Sequence, residues 1–183
     1  MAEVATTTSL KGCVIWLTGL PSAGKSTISL ALQEQLKARG ERVEILDGDL
    51  VRENLSKGLG FSKDDRDINI RRIGFVANLL ARNGVKVICA AISPYRQIRD
   101  EVRELADDFI EVYVSTPVEI CEQRDVKGLY AKARIGEVND LTGVDDPYEP
   151  PLSPEVTIGT VGESPGASAG KIVERLISDG YLA

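Results

Sequence analysis

The segment from Gly19 to Ser26, Gly-Leu-Pro-Ser-Ala-Gly-Lys-Ser, constrains the fold more than any other part of the sequence. It matches the pattern G-x-x-x-x-G-K-[ST], it follows an apolar run typical of a buried strand, and it precedes a helical pattern. In such a loop the backbone amides turn inward around a polyphosphate, and bulky side chains would prevent that approach. The sequence therefore predicts a strand, a phosphate-binding loop and a helix in succession.

Two side chains at the end of this loop are predicted to handle the phosphates directly. Lys25 can reach the β- and γ-phosphates of ATP, and the Ser26 hydroxyl can ligate Mg²⁺. The alternative is a glycine-containing turn that only links a strand to a helix, and the flanking patterns argue against it. The predicted nucleotide-binding residues are Gly19, Leu20, Pro21, Ser22, Ala23, Gly24, Lys25, Ser26 and Thr27.

Short aliphatic runs alternate with longer helical patterns along the chain. The runs are apolar almost throughout, which is typical of parallel strands covered on both faces. This alternation predicts an α/β fold, a P-loop NTPase-type three-layer sandwich with a mostly parallel central sheet. The predicted strands are 13–18, 42–47, 85–92, 109–114 and, more weakly, 156–160, and helical stripes lie at 28–36, 70–81 and 172–177.

Two segments stand apart from this alternation. Residues 1–10 are small and polar and predict a mobile N-terminal arm, which leaves residues 11–183 as a single P-loop domain. Residues 125–154 are richer in charge, glycine and proline. A long insertion of this kind in a compact domain is typical of a functional lid or a disordered loop.

Charge and cysteine content limit the partners and the compartment. The net charge of -6 argues against general binding of nucleic acid or of anionic membranes. No apolar run approaches the roughly 20 residues of a membrane span, and no secretory signal is evident. The 3 cysteines fit a reducing compartment. We therefore expect a cytoplasmic protein whose substrates are small molecules.

Two aspartates follow the second predicted strand. Groups beyond the carboxyl ends of parallel strands face the ligand crevice, so Asp47 and Asp49 can orient Mg²⁺ or accept a hydroxyl proton. The chain has no histidine, the commonest general base. Asp49 is therefore the predicted base, and Asp47 joins Ser26 as a predicted metal ligand. The alternative, an Asx turn that caps the next helix, is compatible with both roles.

A cluster of cations lies in the segment that follows these aspartates. Arg52, Arg66, Arg71 and Arg72 concentrate positive charge in an acidic protein, and guanidinium groups suit sulfate or phosphate oxygens. Phe61 follows a glycine between predicted elements, where its ring can stack on a base. Alternatively, the arginines form surface ion pairs and Phe61 fills the core.

Absent motifs narrow the reaction class. A GTPase would carry N-K-x-D after a later strand, and the sequence has none; Asp140–Gly143 fits D-x-x-G, but it follows no apolar strand and is attributed to chance. A motor ATPase usually ends an inner apolar strand with an acidic residue, whereas Ser93 follows the third predicted strand. A small-molecule kinase is therefore favoured.

Five ordered segments resemble the adenylylsulfate kinases, also called APS kinases. They are GLPSAGKST, LDGDLVREN, GFSKDDRDINIRRIG, AAISPYRQIRD and DVKGLYAKARIGE, the last continuing to LTGVDDPYEPP. The resemblance implies a standalone kinase domain that transfers the γ-phosphoryl group of MgATP to the 3′-hydroxyl of adenosine 5′-phosphosulfate. The products would be 3′-phosphoadenosine 5′-phosphosulfate and ADP. The resemblance also implies a homodimer.

The same resemblance implies roles for individual residues. Phe61 would stack on the adenine of adenosine 5′-phosphosulfate, and Arg124 would lie near ATP. Ser93 matches a catalytic position commonly described as a phosphoserine intermediate. Because in-line transfer needs no covalent intermediate, a hydrogen bond from Ser93 to substrate is the simpler role. The residues implied to line the acceptor site are Asp49, Arg52, Phe61, Arg66, Asn69, Ile92, Ser93, Lys127, Gly128 and Leu129.

Two other interpretations stay open. One is a kinase for another small anionic acceptor, such as a nucleotide or a sugar acid. The other is a nucleotide-binding regulatory module without catalysis. The arginines and Phe61 favour an anionic nucleotide over a neutral sugar, whereas the complete set of Lys25, Ser26 and Asp49 favours an enzyme over a binding module.

Overall fold

The computed structural model describes residues 11–183, so the arm predicted for residues 1–10 lies outside the described residues. The strands are β1 (Cys13–Thr18), β2 (Val43–Asp47), β3 (Lys86–Ala90), β4 (Phe109–Val114) and β5 (Val156–Ile158). The helices are α1 (Lys25–Ala38), α2 (Gly48–Asn54), α3 (Lys63–Ala81), α4 (Arg96–Leu105), α5 (Val118–Arg124), α6 (Leu129–Arg134) and α7 (Pro165–Ser178).

The strands form one sheet in the order β2-β3-β1-β4-β5, and every neighbouring pair is parallel. The prediction of a mostly parallel sheet is confirmed, with no antiparallel pair in this sheet. β3 and β5 end two residues earlier than the apolar runs predicted. After β3 the chain leaves the sheet at Ser93, whose φ of 41° is incompatible with an extended strand.

The central strand shows how the sheet is covered on both faces. Cys13, Ile15 and Leu17 of β1 pack in a core with α1 and α7, whereas Val14 and Trp16 pack in a second core with α3 and α4. Successive side chains of a strand point to opposite faces, so one apolar run supplies both cores. The predicted three-layer sandwich is confirmed.

Helix α3 is positioned by its cap and by one small residue. At its N-terminus the Ser62 hydroxyl accepts the Asp65 amide at 3.2 Å and donates to the Asp65 carboxylate at 2.9 Å, which satisfies an otherwise unpaired helix donor. In the middle, Gly74 lets α4 approach closely, because a Cβ there would lie 2.6 Å from a methyl of Val102. The cap and the close contact with α4 therefore fix the position of α3, whose N-terminal half lies at the carboxyl edge of the sheet.

The segment predicted as a lid has two structurally different parts. Its first part forms the short helix α6. Its second part, Asp140–Pro150, which we call the strap, is hydrogen-bonded to the turn after β3. Tyr95 donates to Asp146 at 3.0 Å, and Glu149 bonds through its amide to the Pro94 carbonyl at 2.8 Å. The strap is therefore fixed to the body of the protein.

The three cysteines are free and buried. Burial raises the pKa of the Cys13 thiol to about 12, so this thiol is unreactive at neutral pH. Within residues 11–183 no helix combines the length and the apolar character needed to cross a membrane.

Candidate active site

The predicted phosphate-binding loop connects β1 to α1 at the carboxyl edge of the sheet. Gly19 opens the loop with a φ of 152°, and a Cβ there would lie 2.5 Å from the Val114 carbonyl oxygen. Gly24 closes the loop with a φ of 110° and is the N-cap of α1, where no side chain caps the helix. The first amides of this 14-residue helix are therefore available to an anion.

The Lys25 ammonium lies against the loop itself. Its Nζ donates to the carbonyl oxygens of Gly19 at 2.9 Å and Leu20 at 2.7 Å. Desolvation lowers the pKa of Lys25 to about 8. A polyphosphate in the loop would give the ammonium an anionic partner and raise this pKa, because a nearby opposite charge favours the ionised form.

Nucleotide binding is therefore expected to take up protons at alkaline pH. Since the pKa of Lys25 is lower in the free than in the bound protein, affinity is constant below pH 8 and falls above it, by up to about tenfold per pH unit. Isothermal titration of ATP in buffers of different ionisation enthalpy measures this uptake, which should be roughly half a proton at pH 8 and near zero at pH 6.5. The Lys25→Met variant should show none. Absence of uptake by the wild type at pH 8.5 would contradict the lowered pKa.

Ser26 and Asp47 present two oxygen ligands beside this loop. The Ser26 hydroxyl donates to one carboxylate oxygen of Asp47 at 2.9 Å, while the other oxygen caps α2 by accepting the Asp49 amide at 3.0 Å. The Asx cap, given above as an alternative role for Asp47, is therefore present, and the same carboxylate also contacts Ser26, the other predicted metal ligand. Among residues 11–183 no cluster of three or more metal-binding side chains occurs. Two hard oxygen donors fit Mg²⁺, which takes its other ligands from phosphates and water.

The predicted base is paired with a residue of the lid segment. Asp49, in the first turn of α2, forms an ion pair with Lys127, which precedes the left-handed Gly128 and the start of α6 at Leu129. The two side chains are 66% and 57% exposed, so this pair adds little stability and exchanges partners readily. The structure thus brings these predicted site residues together from distant parts of the chain.

Phe61 presents an open aromatic surface. Its ring is 61% exposed, so the alternative that it fills the core is wrong. The Arg52 guanidinium lies 4.6 Å from the ring centroid and donates to the Gly60 carbonyl at 2.7 Å. An arginine stacked on one side of an exposed ring leaves an aromatic platform that suits a nucleobase.

Arg66 is committed to contacts within the protein. Its guanidinium donates through Nε to the Phe61 carbonyl at 2.7 Å, through Nη1 to the Thr142 hydroxyl at 2.8 Å, and through Nη2 to the Asp140 carbonyl. The D-x-x-G segment at 140–143, whose match to the GTPase motif was attributed to chance, is therefore the part of the strap that contacts α3. Contact between Arg66 and substrate stays a prediction, whereas its role in joining the Phe61 loop to the strap is observed.

The remaining arginines of the cluster lie on another face of α3. Arg71 forms an ion pair with Glu101 at 2.8 Å, as the alternative interpretation supposed, and Arg72 donates to the Leu55 carbonyl at 2.7 Å. They line a groove of about 330 Å³ together with Phe75. The four arginines, which are close in sequence, therefore lie on two different surfaces.

Asn69 lies one helical turn after Arg66. It is buried, and its side-chain oxygen has no hydrogen-bond partner among residues 11–183. A buried acceptor without a donor is unfavourable by about 1–3 kcal/mol. This supports the prediction that Asn69 receives a hydrogen bond from a ligand.

Ser93 is enclosed by protein. Only 1% of the residue is exposed, and its hydroxyl accepts the indole N–H of Trp16 at 3.0 Å and donates to Thr18 at 3.1 Å. The neighbouring Ile92 is half-buried, and its carbonyl accepts the Thr18 hydroxyl at 2.7 Å. A hydroxyl with both functions occupied inside the protein favours positioning of the turn over phosphoryl transfer through Ser93.

Arg124 lies beside the phosphate-binding loop. Its guanidinium donates to the Thr160 hydroxyl at 2.9 Å and to the Ala23 carbonyl at 3.3 Å. Thr116 donates to the same carbonyl at 2.8 Å and bonds to Thr160 at 2.7 Å. Sequence reasoning did not find Thr116 and Thr160, because single threonines at strand ends carry no motif.

Comparisons with known proteins identify the family of this chain. Residues 11–159 match the family model of adenylylsulphate kinases. An adenylyl-sulfate kinase from Rippkaea orientalis is 61% identical over 173 residues, which cover 94% of this chain and 96% of that protein. The Mycobacterium tuberculosis APS kinase, solved in complex with AMPPNP and APS, has a TM-score of 0.88 at 40% identity and covers 91% of this chain and 98% of its own.

A hexameric APS kinase from Thiobacillus denitrificans has a TM-score of 0.74 at 37% identity, covering 96% of this chain and 30% of that one. The match to the family model and the identity to relatives of nearly equal length extend over most of this sequence. The chain therefore belongs to the adenylylsulfate kinase family.

Proposed function

We propose that this protein is an enzyme that transfers the γ-phosphoryl group of MgATP to the 3′-hydroxyl of adenosine 5′-phosphosulfate. The products are 3′-phosphoadenosine 5′-phosphosulfate and ADP. The observation that carries the proposal is the placement of α2. Its N-cap Asp47 bonds to Ser26 of the phosphate-binding loop, and its last turn holds Arg52 against the exposed ring of Phe61. One short helix therefore connects a triphosphate site to a nucleobase platform.

Asp49 lies on α2 between these two half-sites. It precedes Arg52 by three residues, and such residues share a helix face. In the proposed reaction Asp49 orients the 3′-hydroxyl and accepts its proton as the phosphoryl group transfers. Lys127, its present partner, is released by the incoming acceptor and becomes a cation for the sulfate or the phosphate.

Phosphate binding is assigned to the loop and Lys25. The amides at the start of α1 hold the β-phosphate, and the Lys25 ammonium moves from the loop carbonyls to the β- and γ-phosphate oxygens. Ser26 and Asp47 would hold Mg²⁺, which would supply charge neutralisation for the transferring group. Catalysis in this reaction class is mostly positioning and electrostatic stabilisation, so a site without histidine is sufficient.

The role assigned to the lid segment is to exclude water from the active site. The turn at Lys127–Leu129 reaches Asp49 across the opening of the site, while the strap stays fixed behind it. A kinase must keep water away from the γ-phosphate, or ATP is hydrolysed without transfer.

Self-association and a cytoplasmic location belong to the same proposal. A homodimer is implied by the family resemblance, whereas the relative from Thiobacillus denitrificans is described as hexameric. Light scattering coupled to size exclusion distinguishes a mass of about twice the 19.8 kDa chain from a larger assembly or a monomer. Fractionation of the source cells tests the location.

The function is tested by ADP release, with and without adenosine 5′-phosphosulfate, together with chromatography of the nucleotide products. We expect ADP and 3′-phosphoadenosine 5′-phosphosulfate in equal amounts. Adenosine 5′-phosphate, which lacks the sulfate, and a sugar acid serve as acceptor controls. Stimulation by another acceptor alone would replace the proposal with a different kinase, and ATP binding without ADP release would favour the regulatory module.

A further inference from the structure

Three hydroxyl groups meet beneath the phosphate-binding loop. Thr18 donates to the Ile92 carbonyl at 2.7 Å, and the Ser93 hydroxyl donates to Thr18 at 3.1 Å. The hydroxyl of Tyr148, from the strap, lies 3.0 Å from the same Thr18 oxygen. We call Thr18, Ser93 and Tyr148 the hydroxyl junction.

The direction of each hydrogen bond in the junction follows from counting protons. Thr18 has one hydroxyl proton, and the Ile92 carbonyl, which cannot donate, takes it over the shortest distance. Tyr148 must therefore donate to Thr18, as Ser93 does. The Thr18 oxygen then accepts two hydrogen bonds and donates one, which is its full capacity. The alternative acceptors, the Ser93 carbonyl for Thr18 and the Ala91 carbonyl for Ser93, both lie at the longer distance of 3.5 Å, so the shortest contacts favour this arrangement.

The junction connects the two halves of the proposed active site. Thr18 is the last residue of β1 and is followed directly by Gly19, the first residue of the phosphate-binding loop. Ile92 and Ser93 form the turn after β3 that is predicted to contact the acceptor. The Tyr148 hydroxyl therefore bonds to a residue that precedes the phosphate-binding loop in the chain and that is itself hydrogen-bonded to the turn after β3.

Contacts with α4 and β4 restrain Tyr148. Arg99, 2% exposed, donates to the Ser93 carbonyl and the Glu149 carbonyl, both at 2.6 Å, and to Glu111 at 2.8 Å. The Tyr148 ring stacks on Tyr113 with 6.0 Å between centroids. A tyrosine so restrained delivers its proton at a defined position.

We infer that Tyr148 is a positioning residue, which sets the spacing between the phosphate-binding loop and the acceptor turn by donating to Thr18. The inference rests on the proposed function. A misplacement of about 1 Å lowers the rate of an oriented transfer by roughly 10²-fold, and smaller shifts have smaller effects. Loss of the Tyr148 hydroxyl should therefore misalign donor and acceptor without removing a group that touches either.

The test is Tyr148→Phe, which deletes one oxygen and retains the stacked ring. We expect kcat to fall by about tenfold or more with little change in the KM for ATP. ADP released per 3′-phosphoadenosine 5′-phosphosulfate formed should rise above one, because a misaligned acceptor lets water compete. Tyr113→Phe, the same change in the stacked partner outside the junction, is the matched control and should retain one-to-one coupling.

The Thr18 variants and the wild type complete the design. Thr18→Ser keeps the hydroxyl and should retain coupling, whereas Thr18→Val should reproduce the Tyr148→Phe defect. Unchanged kcat and coupling in Tyr148→Phe, or a fall in melting temperature with coupling intact, would overturn the inference. Absence of product with wild-type protein would instead refute the proposed function.

Discussion

Replacing Asp49 by alanine lowers kcat by about 10²- to 10⁴-fold, the range associated with loss of a general base. The Kd for MgATP changes by no more than about threefold, because a group that acts on the acceptor contributes mainly to the transition state. Asp49 fits this behaviour, since its side chain is 66% exposed and, among residues 11–183, its carboxylate pairs with Lys127 alone. Steady-state kinetics with both substrates and titration of MgATP measure the two effects separately.

The matched control for Asp49 is Asp64→Ala. Asp64 is an exposed carboxylate in the first turn of α3, so its removal repeats the loss of an acidic residue from a helix N-terminus. We expect activity close to that of the wild type. Equal losses of kcat in the two variants would point to helix destabilisation, and an unchanged kcat in Asp49→Ala would refute the assigned base.

Replacing Lys25 by methionine lowers kcat by roughly 10³-fold and also weakens binding of ATP, since the ammonium neutralises charge that grows on the phosphates in the transition state. Methionine keeps the length of the side chain without the charge. The free protein should not lose stability, because the ammonium is desolvated and its pKa is lowered to about 8. Single-turnover kinetics at saturating ATP separate the chemical step from binding.

The control for Lys25 is Lys37→Met, an exposed lysine in the last turn of the same helix. It changes the net charge equally but lies at the opposite end of α1 from the loop. Kinetics like those of the wild type are expected for this variant. A rate for Lys25→Met within about tenfold of the wild type would contradict the role assigned to the ammonium.

Where a structural feature depends on neighbouring residues, the sequence was sufficient to predict it. The glycines of the predicted phosphate-binding loop act through backbone geometry within eight consecutive residues, so their spacing already indicates the loop between β1 and α1. The parallel strands were predicted in the same way, because a short run that is apolar almost throughout is typical of a strand in a parallel sheet covered on both faces. The cap formed by Asp47, the alternative that the sequence pattern allowed, is observed for a similar reason, since an Asx cap is a local interaction, whereas metal binding by Asp47 stays a prediction.

The arginine cluster shows where local pattern is insufficient. Four arginines close in sequence suggested one anion site, but helical geometry directs Arg66 inward to the strap and Arg71 outward to Glu101. On a helix, residues separated by five positions point in different directions. Composition therefore indicated the positive charge of the region without showing which side chains share a surface.

The strap and the hydroxyl junction depended entirely on contacts between distant residues. Thr18 and Tyr148 are 130 positions apart, and nothing in the segments that contain them indicates a contact between the two side chains. The family resemblance associates Ser93 with a phosphoserine intermediate, and the enclosure of its hydroxyl by Trp16 and Thr18 became visible only once β1 and β3 were side by side. Hydrogen bonds of this kind join side chains that the folded sheet brings within 3 Å, whereas periodicity and motifs report only on residues a few positions apart.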